Sequence, residues 1–173
     1  MRLLLDTVAL IFAVESPERL TKRATSILQN TENILELSAI SLSEIAVKAA
    51  RGKLKFSAAD TRHALEDLDI RVLPYTANHA FFLFDLPLLH ADPFDRQIIA
   101  QALCEEIPVM TCDEKFSLYN GLKVLWQFSG ISPHVMTIAG LVLVRRDRMC
   151  PGRTGDLMVG LGGLEPPTSP LSV

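Results

Sequence analysis

Asp6, Glu44, Asp95 and Asp113 are the residues of this chain whose types and spacing could do chemistry together. Asp6, in LLLDTVAL, and Asp113, in PVMTCDEKF, each follow an apolar strand-like run. Glu44, in SAISLSEIAVKAARGKL, and Asp95, in HADPFDRQIIAQA, each open an apolar helix-like run. In a parallel α/β sheet such positions gather at the carboxyl ends of the strands, where these folds bind ligands. Carboxylates brought together there repel one another. A divalent cation among them offsets that repulsion, and hard oxygen donors suit Mg²⁺ or Mn²⁺. Singly, each acid has a plainer reading. Asp6 and Asp113 read as turn or cap aspartates, Glu44 as a first-turn acid paired with Lys48, and Asp95 as one of two aspartates, with Asp92, that can cap a helix. The plain readings leave the shared position at the sheet rim unexplained.

The elements that must hold these acids follow from hydrophobic pattern and punctuation. Leu3 to Leu5 reads as a buried strand and Val8 to Val14 as a helix. Pro17 opens a helix running through Gln29. Ile34 to Ile40 is a second strand; Ser41 or Ser43 caps a helix from Glu44 to about Ala50, and Gly52 stops it. Asp60 to Leu68 is helical, Ile70 to Leu73 a strand, and Asn78 to Phe84 helical. Pro93 to Glu105 is a strong helix. Pro108 to Thr111 and Leu122 to Leu125 are the last strands. Strand and helix alternate, so an α/β fold is expected, its central, mainly parallel sheet flanked by helices.

The pattern changes after Trp126. Residues 127–173 hold Pro133, Pro151, Pro166, Pro167 and Pro170, five of the ten prolines. They also hold seven of the nine glycines: Gly130, Gly140, Gly152, Gly155, Gly160, Gly162 and Gly163. A domain over 1–126 followed by an atypical C-terminal tail over 127–173, poorly ordered or a non-native extension, is the expected organisation.

Composition narrows the function. At 173 residues and 49% hydrophobic, the chain can bury a proper core. A net charge of −3 gives no global basic signature, so any nucleic-acid contact must be local. No secretory leader follows Met1-Arg2, and the most apolar late stretch, Val135 to Val144, is too short to span a bilayer. Cys104, Cys112 and Cys150 fit neither a disulfide framework nor a zinc spacing, which reads as reduced thiols in the cytoplasm. With no partner histidine, Cys112 reads as a small buried thiol rather than a nucleophile. His90 has no second histidine nearby, so a structural or supporting role is favoured over that of base or ligand. Lys48, Arg51, Lys53 and Lys55 form a local basic cluster, either a solvated face or a grip on a nucleic-acid backbone. Arg96 either binds phosphate or pairs with a carboxylate. Phe81, Phe82 and Phe84 are expected to pack the core rather than stack on bases.

In their order, LLLDTVALIFA, SAISLSEIAVKAARGKL, LPLLHADPFDRQIIAQA and PVMTCDEKF resemble the PIN-domain ribonucleases, and among them the VapC-type toxins of toxin–antitoxin modules. The resemblance runs from Met1 to Trp126; any single block would be weak, and the set is specific. It implies that Asp6, Glu44, Asp95 and Asp113 form an acidic metal site for Mg²⁺ or Mn²⁺, with Asp6 and Asp95 the most direct ligands. Thr7, Ser41 and Thr111 would support it by hydrogen bonds to a ligand or water, and Asp92 would be structural. Lys48, Arg51, Lys53 and Arg96 are the candidates for nucleic-acid contact. Relatives often carry a bulky aromatic where this chain has Ser43. The implied activity is metal-dependent hydrolysis of RNA phosphodiesters by a homodimer silenced by a small antitoxin; one ion or two stays open. Two other readings compete: a nuclease-dead PIN module acting in assembly, and another Mg²⁺-dependent phosphate hydrolase. The intact set of acids speaks against the first. The absence of an Asp-x-Asp-x-Thr segment around Asp6-Thr7-Val8 speaks against a phosphatase.

Overall fold

A computed structural model describes residues 1–126 and, beyond them, only the strand pair Thr137–Ile138 and Leu141–Val142. Apart from that antiparallel pair, the expected tail lies outside the described residues. The elements run β1 (Arg2–Leu5), α1 (Thr7–Glu15), α2 (Lys22–Gln29), β2 (Ile34–Ser38), α3 (Ala39–Ala50), α4 (Ala58–Asp67), β3 (Ile70–Leu73), α5 (Ala77–Asp85), α6 (Pro93–Cys104) and β4 (Val109–Met110). The sheet order is β3-β2-β1-β4, and every pairing in it is parallel.

β1 is a central strand, and its apolar run is buried on both faces, as a parallel sheet under two helical layers requires. Side chains alternate across a strand. Leu3 and Leu5 therefore join a core with α1, Ala24, Ile45 and Ala64, while Leu4 joins a second core with Ile98, Ile99, Ala102, Val109 and Phe116. Helix α1 is buried from Thr7 to Phe12, its apolar residues sharing a core with Leu3 and Leu5 of β1 and Ile45 of α3.

Several expected boundaries move. The helix expected over Pro17–Gln29 splits: Pro17–Arg19 is a 3-10 turn, and α2 starts afresh with Thr21 capping Ala24 N–H. Ser38 caps α3 by accepting from the N–H of Ile40, so Ser41 and Ser43 lie inside the helix and Glu44 sits in its second turn rather than at its start. α3 ends as expected at Gly52 (φ 65°). Lys53 N–H bonds to Lys48 C=O at 2.8 Å and Gly52 N–H to Ala49 C=O at 2.9 Å, the paired closure a left-handed glycine allows. The strand expected at Leu122–Leu125 is a single parallel bridge, Val109 to Val124. Phe81, Phe82 and Phe84 do not pack the core: Phe81 is 68% and Phe84 85% exposed, and Leu83 is the residue of that run that turns inward.

At the other end of the sheet from the acids, Arg2 bonds Glu36 through Nε at 3.0 Å and Glu105 through Nη2 at 3.0 Å. His79 Nε2 lies 3.1 Å from the other Glu105 oxygen. Burial pushes the Glu105 carboxyl upward, but the hydrogen bonds from Arg2 and His79 outweigh it and hold the group below its usual 4.5. A carboxyl depressed on folding stabilises the fold fully above its ordinary pKa and loses that contribution as pH falls through the lowered value. Glu105→Gln is therefore expected to be less stable than the wild type by a constant margin above about pH 5.5, with the margin shrinking as pH drops below 4.5. Urea unfolding at stepped pH measures it; a margin independent of pH would remove Glu105 from the acid response.

Candidate metal centre

The rim opens between β1 and β4, neighbours in the sheet although the first and last of its four strands in chain order. The helix leaving β1 packs in one core and the helix entering β4 packs in the other, which makes a crevice at the strand ends. Asp6 follows β1 and Asp113 follows β4, and Asp6 N–H bonds across to Met110 C=O at 3.1 Å. Asp6 does serve as a cap, its Oδ1 accepting from Ala9 N–H at 2.5 Å. Its other oxygen accepts from the hydroxyl of Thr111 at 2.5 Å, and the Thr111 hydroxyl in turn accepts from Asp113 N–H at 3.0 Å. One threonine thus ties the acids of two strands together. Thr7 does the same for the third acid, donating to Glu44 Oε2 at 2.6 Å, while Glu44 Oε1 pairs with Lys48 one turn along α3.

Asp95 enters from the first turn of α6, where Asp92 caps the helix by accepting Phe94 N–H at 2.9 Å. Within the Asp-Pro-Phe-Asp run, Asp92 is thus the residue that caps the helix. His90 reaches both remaining aspartates: its Nε2 is 3.1 Å from Asp113 Oδ2 and 3.4 Å from Asp95 Oδ2. One donor atom from each of these three residues falls within 4.8 Å of the others. Asp6, Glu44, Asp95 and Asp113 are each 7% exposed or less. Asp95 and Asp113 brought together at His90, with Asp6 joined to Asp113 through Thr111, are a buried carboxylate donor set that fits Mg²⁺ or Mn²⁺. Ser41 is buried in the first turn of α3, three residues from Glu44 and so on the same face, and its hydroxyl has no hydrogen-bond partner among the described residues.

The basic residues divide. Lys48 belongs to the acid cluster. Arg51, Lys53 and Lys55 are exposed at the far end of α3, with Arg51 about 10 Å beyond Glu44 at 1.5 Å per residue. Arg96, expected on a phosphate or a carboxylate, instead donates to the carbonyls of Pro87 (2.7 Å) and Leu86 (3.0 Å) and lies 3.5 Å from the Tyr119 hydroxyl. That hydroxyl accepts His90 N–H at 2.9 Å. Nothing in its local sequence marks Tyr119 as part of the site; only the fold brings it under the His90 loop. Cys112 is buried in the first core.

A family model, PIN domain, matches residues 3–122. No curated protein matches the chain in sequence. Among solved structures, the chain is similar to VapBC2 from Rickettsia felis bound to a DNA fragment from its promoter (18% identity, 72% of this chain and 97% of that chain, TM-score 0.52). It is similar also to DNA-bound VapBC from Salmonella typhimurium (20%, 72% and 96%, 0.51). A third is a toxin–antitoxin complex from Klebsiella pneumoniae (18%, 72% and 98%, 0.50). At these identities the likeness is one of fold.

Proposed function

This chain belongs to the PIN domain family, and from that premise we propose that it is a Mg²⁺- or Mn²⁺-dependent endoribonuclease, the toxin of a toxin–antitoxin pair. The observation that carries the reading is the threonine-linked set of buried acids at the strand ends, Asp6 and Asp113 through Thr111 and Glu44 through Thr7. Asp6, Asp95 and Asp113 would hold the cation. When bound, it supplies Lewis-acid polarisation of the scissile phosphate and activation of water. Thr7 and Lys48 fix both oxygens of Glu44, so its direction is set before a substrate arrives. No side-chain nucleophile is needed, in keeping with the burial of Cys112. Arg51 and Lys53, exposed at the end of α3, would grip the RNA backbone.

The test is cleavage of a structured RNA pool by the purified chain, freed of any bound antitoxin. Cleavage is expected with Mg²⁺ or Mn²⁺, lost with EDTA and restored by excess Mn²⁺, with small phosphomonoesters left intact. A folded, metal-binding protein that leaves RNA uncut would favour a binding module; phosphomonoester turnover would favour a different hydrolase.

An antitoxin partner is supported by the fold shared with toxin–antitoxin complexes. A homodimer is supported by the outer face of α5 and the loop after it, where Phe81, Phe84, Leu88 and Leu89 are exposed and the rings of Phe81 and Phe84 stack at 6.4 Å. Apolar surface of this kind marks an interaction site. Phe84→Glu is expected to convert a dimer to a monomer by light scattering without lowering the melting temperature; an unchanged mass would place the dimer contact elsewhere. Cytoplasmic residence is supported by cysteine usage, since Cys104, Cys112 and Cys150 follow no disulfide-framework spacing. Among the described residues no helix is long and apolar enough to cross a membrane.

A further inference from the structure

His90 is fully buried, and its two ring nitrogens face groups of opposite kind. Nδ1 lies 3.1 Å from the backbone N–H of Asp92 and accepts from it. A ring nitrogen that accepts carries no proton, so the imidazole proton sits on Nε2. Nε2 is the atom turned toward Asp113 Oδ2 at 3.1 Å and Asp95 Oδ2 at 3.4 Å. To ligate a cation, Nε2 would need a free lone pair. The proton would then move to Nδ1 and point straight at the Asp92 N–H. Metal-bound histidines show the opposite polarity, the second nitrogen giving its N–H to a carbonyl or carboxylate.

We infer that His90 is a positioning residue and not a cation ligand: its Nε2–H donates to Asp113 beside Asp95 and holds the two aspartates at the spacing from which each can offer an oxygen to one divalent cation. The inference rests on the nuclease reading for what the site binds. A hydrogen bond to an ionised carboxylate is among the stronger ones, and here it also sets direction. The ring cannot turn away. Phe116 packs edge-on against it at 5.9 Å, and Tyr119 holds its backbone N–H. Arg96 fastens the loop before it through the carbonyls of Leu86 and Pro87. The task of Arg96 is thereby explained: it locks the segment that aims His90. The chain builds the same device at the other end of the sheet, where His79 Nδ1 accepts Thr76 N–H at 3.0 Å and Nε2 meets Glu105.

Two measurements on the full-length protein test this. In the first, Mg²⁺ is titrated calorimetrically into the wild type, His90→Gln and His90→Phe. In the second, long-range proton–nitrogen correlation of the wild-type imidazoles is recorded without and with Mg²⁺. Affinity is expected to fall about 10- to 100-fold in His90→Phe. It should largely return in His90→Gln, whose amide keeps a donor near the place of Nε2. The spectrum should show the Nε2–H tautomer of His90 in both states. A switch to Nδ1–H on adding Mg²⁺, or an equal loss in both variants, would make His90 a ligand and overturn the inference. Wild-type uptake unchanged in His90→Phe overturns it alone, whereas no uptake by the wild type defeats the nuclease reading as well. Should His90→Phe not fold, the glutamine variant and the wild-type spectrum still decide.

Discussion

Asp95→Asn is expected to slow the proposed Mg²⁺-dependent RNA cleavage about 1,000-fold, on the order of 4 kcal/mol of transition-state stabilisation, while the protein melts within a few degrees of the wild type. The amide keeps the shape of the side chain and removes its charge. The charge is what a hard cation draws on, and Asp95 brings it to the rim from the first turn of α6. Two opposing effects keep stability nearly level. A carboxylate in the first turn of a helix gains about 0.3–1 kcal/mol from the helix dipole, which the amide forfeits. Its neighbour across His90 is another carboxylate, Asp113, and the amide relieves that repulsion. Asp92→Asn is the control. Asp92 caps the same helix, asparagine caps as well as aspartate, and cleavage should stay within a few-fold of wild type. Single-turnover rates at saturating Mn²⁺, with melting curves on the same preparations, check both. An Asp95→Asn protein that cuts within tenfold of wild type would take Asp95 out of the cation's reach.

The positions of Asp6, Asp95 and Asp113 were legible because strand ends and helix starts are local signals, whereas Glu44, expected to open α3, lies in its second turn. Leu3-Leu4-Leu5 stops at Asp6, and Pro93 one residue inside α6 fixes the phase that brings Asp95 inward. Gly52 was legible for the same reason, since a left-handed helix end favours glycine. The cap of α3 was not: Ser38, Ser41 and Ser43 compete within one short stretch, and the winner depends on where β2 stops pairing with β1 and β3. Periodicity also fails for Phe81-Phe82-Leu83-Phe84, a run apolar on every side. Only packing against α6 shows that Leu83 is the inner residue. His90 and Arg96 were visible as residues but not in their roles. Which His90 nitrogen bears the proton depends on a backbone N–H two residues on and a carboxylate 23 residues away. Arg96 turns back to carbonyls nine and ten residues earlier, which no local pattern announces.

Trp126→Ala in the full-length chain is expected to cost about 3–5 kcal/mol of folding stability, the range for removing a large buried aromatic. Trp126 is 1% exposed and belongs to the first core, far in sequence from β1 and α1 but packed with them. Its ring meets Phe12 edge-on at 5.7 Å, and the guanidinium of Arg19 lies 5.5 Å from the Phe12 centroid on the same cluster. Such an aromatic pair adds about 0.5–1.5 kcal/mol beyond the area it buries. Phe12→Leu with Trp126→Ala should therefore lose less than the sum of the single changes, because the pair is gone once either ring is removed. Leu125, the residue before it, is tied by its N–H to Val109 C=O at 3.0 Å, so the chain that delivers Trp126 is bonded to β4. The same packing sets a proposed domain boundary. A chain ending at Trp126 keeps every described residue of both cores and should unfold at the urea midpoint of the full-length protein, whereas one ending at Val124 should unfold as Trp126→Ala does or earlier. Equal midpoints for the two truncations would show that Trp126 contributes nothing to the core; a lower midpoint for both would assign a stabilising role to residues after 126.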